Sequence, residues 1–177
     1  PKEVPERAKK LIRFLAGPLT ILLFVKPNTL PDAVTGGLKT VAFSLPDDSL
    51  THDLIAKLGY PIVGPSANTS TKPSPTTAEH VYHDLKGKIA GIIDGATRVG
   101  LESTIIDLSV ETPIVLRPGE ITPEELSEVL GEKVLINTGK VSDKDVPKAP
   151  GMKYRHYAPS EPVIVVDDPA DFSKINF

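Results

Sequence analysis

Short polar side chains gathered at the ends of apolar runs are the part of this sequence that can do chemistry. The apolar run Pro61 to Val63 reads as a short buried strand, and a small-residue turn, Gly64 to Asn68, follows it. From residue 64 to residue 76 there is no large apolar side chain; the stretch is hydroxyls, an amide, prolines, one lysine, Gly64 and Ala67. Thr76 and Glu79 then stand at capping-box spacing, the signal for a helix start. A strand end, a hydroxyl-rich loop and a helix N-terminus can together hold an anionic or nucleotide ligand through backbone N–H groups and short side chains. The same residues can also do no more than satisfy turn backbones on the surface. Glu102, Ser103 and Thr104 open a second apolar run, and Arg117 stands at the C-terminal end of a third.

Alternating strands and helices must position these groups. A helix is expected from Pro5 to Ala16, with Ala8, Leu11, Ile12 and Leu15 as its apolar stripe. Leu19 to Val25 is nearly all apolar and reads as a strand covered on both faces. Strands are also expected at Thr40 to Leu45, Ile89 to Ile93, Thr104 to Leu108 and Pro113 to Leu116. Helices fit Leu50 to Tyr60, Thr77 to Leu85 and the segment opened by Thr122 and Pro123. The alternation is not strict, so the fold class is α/β, a twisted mixed sheet flanked by helices. Residues 1–137 form the first domain in this reading, 138–161 a linker, and 162–177 the start of a second α/β domain with a strand at Val163 to Val166.

Composition narrows the function classes. The 177 residues contain no cysteine, which removes disulfides and cysteine–zinc sites and suits a reducing compartment. Four scattered histidines, at 52, 80, 83 and 156, carry no metal-binding spacing. A net charge of −3 makes no bulk case for nucleic acid, and no apolar run has membrane length, so the protein is expected in the cytoplasm, with no membrane partner. The linker is unusual: Lys148, Lys153, Arg155, Tyr154, His156 and Tyr157 fall within ten residues. That composition suits a lid over a site as well as it suits a tether.

Five segments in order carry a resemblance: Gly17 to Thr20, Gly64 to Asn68 with Lys72 to Ala78, Gly100 to Thr104, Leu116 to Gly119, and Pro150 to Pro159. Together they resemble the threonylcarbamoyl-AMP synthase family in its long form, with a YrdC-type catalytic domain, a linker and a small C-terminal domain. The resemblance implies condensation of L-threonine, bicarbonate and ATP (with Mg2+) into threonylcarbamoyl-adenylate and pyrophosphate. That product feeds the tRNA threonylcarbamoyl transferase machinery, and an RNA contact goes with the catalytic domain. It further implies that Ser66, Asn68 and Ser74 surround the nucleotide, with Thr40 at the end of its strand and Arg117 on the phosphate. Ser103, with Thr104 beside it, would face the threonine moiety, and Tyr154 and His156 would close over the site from the linker.

The sequence departs from the family pattern in three places. Ser44 and Asp48 stand where members carry Arg and His, and Phe14 to Pro18 replaces an aromatic-Pro-Gly-Pro segment. The family's N-terminal Lys-x-Arg motif has no counterpart; with no initiator Met and a final helix start that has no room to finish, the chain is expected to be N- and C-terminally incomplete. Each charge-assisted bond those cations supply is worth about 1.5–3 kcal/mol. The alternatives are therefore a degenerate or truncated homologue that binds nucleotide or RNA without catalysis, and an α/β interaction domain without chemistry.

Overall fold

An apolar strand with a partner on each side sets the architecture. In the computed structural model, which describes residues 4–137, 148, 163–166 and 168–170, strand β1 (Leu19–Phe24) buries Leu19, Ile21 and Leu22. It pairs antiparallel with β2 (Thr40–Phe43) on one side and parallel with β3 (Thr104–Asp107) on the other. β4 (Ile114–Arg117) runs antiparallel to β3, and the two-residue β5 (Leu135–Ile136) completes a five-stranded mixed sheet in the order β2-β1-β3-β4-β5.

Successive strand residues face opposite sides, which divides the apolar set in two. On one face Leu19, Ile21, Ile106 and Val115 meet helix α1 (Glu6–Leu15) through Ala8 and Leu11, and helix α5 (Pro123–Leu130) through Leu126 and Leu130. Each of these fully buried Leu or Ile side chains contributes about 1.5–3 kcal/mol of transfer free energy. Arg7 fastens α1 to the turn after α5, with its Nε donating to Glu132 Oε1 at 2.7 Å and Nη2 to Oε2 at 2.6 Å. On the other face Leu22 and Ile105, with Leu116 against them, form a second, smaller cluster.

Several elements follow the sequence closely, and α5 has the full capping box between Thr122 and Glu125 behind Pro123. Others differ. Pro61 to Val63 and Ile89 to Ile93 form no strand, because no neighbouring strand offers them a ladder, and Ile62, Val63, Ile89 and Ile93 are exposed. The described residues Val163 to Val166 are likewise unpaired and exposed, apart from the half-buried Val166. Helix α3 (Ser49–Leu58) forms where its pattern predicts, yet buries no residue: Leu50, Leu54 and Leu58 are exposed. Helix α4 (Ala78–Leu85) starts one residue later than expected, capped by Thr77, whose hydroxyl accepts from the His80 N–H. The one-turn helix α2 (Asp32–Thr35) and β5 were not foreseen, being too short to show a period.

Candidate functional site

Two apolar strands that start side by side bring three polar side chains together. Leu19 pairs with Thr104, and the Thr104 N–H donates to the Pro18 carbonyl at 2.8 Å, so Thr20 and Ser103 sit next to each other on the sheet face away from α1 and α5. Their hydroxyl oxygens lie 2.7 Å apart. Arg117 reaches the same point from β4. Its register shifts between Ile105 and Ile106, where Ile105 faces Arg117 and Ile106 faces Val115, a bulge that places Leu116 and Arg117 over one partner. The guanidinium then donates from Nε at 3.1 Å and Nη2 at 3.0 Å to the Ser103 carbonyl, and from Nη2 to Ser103 Oγ at 3.2 Å. Gly119 makes this approach feasible: a Cβ there would lie 2.5 Å from the Thr104 nitrogen and 2.6 Å from the Glu102 carbonyl oxygen.

The other expected residues fall in different places. Thr104 is fully buried on the opposite face, where its hydroxyl donates to the Ile121 carbonyl at 2.7 Å, so its side chain holds the fold and does not reach the Ser103 surface. Adjacent strand residues cannot share a face, and that is the physical reason. Thr40 is buried and pairs with Phe24, at the far end of β1 from Thr20. The structure does not bring it to Ser103. Ser66 is exposed in the 61–77 loop. Asn68 donates from Nδ2 to the Thr69 and Lys72 carbonyls at 2.9 and 3.0 Å, while its Oδ1 and the Ser74 hydroxyl are buried with no hydrogen-bond partner among the described residues. Thr71, in the same loop, adopts the left-handed φ of 76°, uncommon for a β-branched residue.

This loop is tied down at its middle and at its C-terminal end. The Thr69 N–H donates to Asp84 Oδ2 of α4 at 2.9 Å, and Thr97 Oγ1 donates to the Thr76 carbonyl at 2.8 Å. Thr69, then His83, hold the Asp84 carboxyl below the usual carboxylate range. A cavity of about 120 Å³ lies between the loop and the strand opening, lined by Ser74, Pro75, Thr76, Thr97, Gly100, Leu101 and Glu102. Ser74 is thus brought to the residue beside Ser103. Arg98 pairs with Asp47, and Asp48 caps α3 by accepting from the Thr51 N–H and hydroxyl, both at 2.7 Å. Those bonds, the hydroxyl's first, depress the Asp48 pKa. Tyr154 and His156 lie outside the described residues.

Residues 2–119 match the family model for Sua5, YciO and YrdC proteins, described as telomere recombination, and residues 121–176 match the threonylcarbamoyl-AMP synthase C-terminal domain. The chain belongs to the Sua5–YciO–YrdC family. It is 48% identical over 165 residues to the threonylcarbamoyl-AMP synthase of Bacillus subtilis, covering 92% of this chain and 47% of that protein. The enzyme of the same name from Pyrococcus abyssi is 51% identical over 172 residues, covering 96% and 50%. The P. abyssi Sua5 structure complexed with L-threonine superposes with a TM-score of 0.80 at 49% identity, over 89% of this chain and 47% of that one. Escherichia coli YciO, at 22% identity and a TM-score of 0.60 over 70% of this chain and 61% of that one, shares the fold. The chain spans about half the length of the curated relatives it matches.

Two residues were missed at the sequence level, although each left a trace. Thr20 is the one hydroxyl inside the apolar run 19–25, and Asp107 the one carboxylate inside 105–108. A polar group in a buried strand signals a partner without saying which. Asp107 is buried and accepts at Oδ1 from the Ser109 N–H and hydroxyl, and at Oδ2 from Lys148 Nζ at 2.9 Å.

Proposed function

We propose that this chain carries the adenylate-forming site of an L-threonylcarbamoyladenylate synthase. The observation that carries the reading is the Arg117 fork on Ser103, in a chain 49% identical to a Sua5 protein solved with L-threonine. In this reading the threonine amine and bicarbonate lose water to give a carbamate. A carbamate oxygen then attacks the α-phosphorus of ATP, and pyrophosphate leaves. No covalent enzyme nucleophile is required, so the protein contributes positioning and charge neutralisation. Arg117 supplies a permanent positive charge toward the phosphate, and Ser103 a hydroxyl toward the amino acid. The unpartnered Asn68 Oδ1 and Ser74 Oγ are polar atoms suited to a nucleotide, and Ser66 lies on the same loop. Thr40, set far from Ser103 along the strand, would touch the nucleotide only at a remote part. Tyr154 and His156 would complete the site and keep water from the mixed anhydride.

In this reading magnesium arrives with ATP. Partners in this reading are ATP, L-threonine, bicarbonate and the tRNA threonylcarbamoyl transferase machinery, in the cytoplasm. No described helix is long and apolar enough to cross a membrane. The domain division, with a linker over 138–161, belongs to the same proposal.

Pyrophosphate release from ATP that requires both L-threonine and bicarbonate tests it. The second reading, nucleotide binding without chemistry, is favoured by Asp48, which is engaged as a helix cap at the position where the family pattern that the sequence resembles has His. ATP binding with no pyrophosphate release under any substrate combination would select that reading.

A further inference from the structure

We infer that Thr20 is a positioning residue which fixes the Ser103 hydroxyl as a hydrogen-bond donor toward an anionic group, the carboxylate of the amino-acid substrate. The inference rests on the functional reading above and adds to it a residue on a different strand. Its basis is proton counting at one point. Thr20 Oγ1 and Ser103 Oγ are 2.7 Å apart, and Arg117 Nη2 approaches the same Ser103 oxygen at 3.2 Å. A hydroxyl has one proton and two acceptor sites, while a guanidinium only donates. Arg117 therefore occupies one acceptor site of Ser103. The hydroxyl pair holds two protons, of which the bond between them uses one.

Two arrangements remain. Either Ser103 donates to Thr20 and the Thr20 proton is free, or Thr20 donates to Ser103 and the Ser103 proton is free. In the second, both acceptor sites of Ser103 are filled, by Thr20 and Arg117, and its own proton can only point outward. An anion placed against Ser103 selects that arrangement. The positive charge donating into Ser103 Oγ polarises the outgoing O–H, and a short chain of bonds strengthens each member. Thr20 suits this task because β1 and β3 start in register, with the Thr104 N–H on the Pro18 carbonyl, so its Cα is held by the ladder. Without Thr20, the Ser103 hydroxyl keeps one neighbour fewer and rotates between wells, and the site loses pre-organisation.

The test compares the unaltered chain with Thr20→Val, which keeps the shape and the β-propensity, and Thr20→Ser, which keeps the hydroxyl. L-threonine and ATP affinities are measured separately by calorimetry, together with the unfolding midpoint and the Arg117 Nε–H resonance. Thr20→Val is expected to weaken L-threonine binding about fivefold, the size of one neutral hydrogen bond, and to leave ATP binding within about twofold. Thr20→Ser should restore L-threonine binding. Equal L-threonine affinity in Thr20→Val, or equal weakening toward both ligands with a fallen midpoint, overturns the inference. If the unaltered chain binds no L-threonine, the functional reading fails on its own account. The positioning role is then decided by the Arg117 Nε–H signal: shifted and broadened by Thr20→Val if the pair orients Ser103, unchanged if it does not.

Discussion

Ser103 and Thr104 are neighbours in sequence with opposite duties, and the difference between them comes from strand geometry alone. Ser103 faces the Arg117 guanidinium, whereas Thr104 turns inward to bond the Ile121 carbonyl. The sequence names both as candidates. Choosing between them needs the strand phase, which only the buried Ile106 and Val115 on the helix-covered face provide. Gly119 depends on the same crowding. A methyl group there would lie 2.5–2.8 Å from Thr104 N, Glu102 O and Thr104 Oγ1, and two of those atoms are backbone that cannot swing away. Gly119→Ala should therefore cost about 1–3 kcal/mol, the range for forced overpacking. Urea denaturation measures it, and an unchanged midpoint would show that the 102–104 segment yields freely. Because that segment carries Ser103, the variant should also bind L-threonine more weakly.

At the scale of elements, the sheet and its covered face were legible because their residues form short apolar runs or fall at helical spacing. The 61–77 loop was legible as polar, but not in its anchoring, since the Thr69 to Asp84 bond joins residues fifteen apart and follows no local pattern. Pro61 to Val63 looked like a strand for sound local reasons and is not one, because strand formation is a property of pairs. The anchoring has a pH consequence. The Thr69 N–H, and after it His83, depress the Asp84 pKa in the folded chain. The stabilisation is thus fully present above the unfolded carboxylate value of about 3.9 and is lost as pH falls through the lower folded value. The Thr69 amide resonance should hold steady from neutral pH down to about 4 and move only below it. In Asp84→Ala it should already sit at the acid position at neutral pH. A Thr69 signal that does not respond to either change would mean that the loop is held by other contacts.

Across the whole molecule, one face of the sheet is covered and the other is sparsely so. Leu50, Leu54, Tyr60, Ile62 and Val63 are all exposed, and an apolar surface of that extent favours association. Sedimentation should show concentration-dependent oligomers, reduced by Leu54→Glu with Val63→Lys; a monodisperse monomer at every concentration would refute this. A buried carboxylate also lies on the sparsely covered face. Residues 103, 105 and 107 share it by strand alternation, so Asp107, with its side chain only 1% exposed, lies on the Ser103 face about 13 Å further along. Lys148, 41% exposed, donates to it at 2.9 Å. The ion pair ties Lys148 to the sheet. Lys148→Met removes the cation and leaves a buried carboxylate with Ser109 alone, which should cost about 2–4 kcal/mol. Asp107→Asn in the same chain should recover most of that loss, because the amide needs no counter-charge. If the pair is a latch, Lys148→Met should also raise the rate of tryptic cleavage at Lys153 and Arg155, and the double variant should keep the raised rate while regaining stability. Cleavage that tracks stability in all three chains would instead make the pair a local brace with no bearing on the linker.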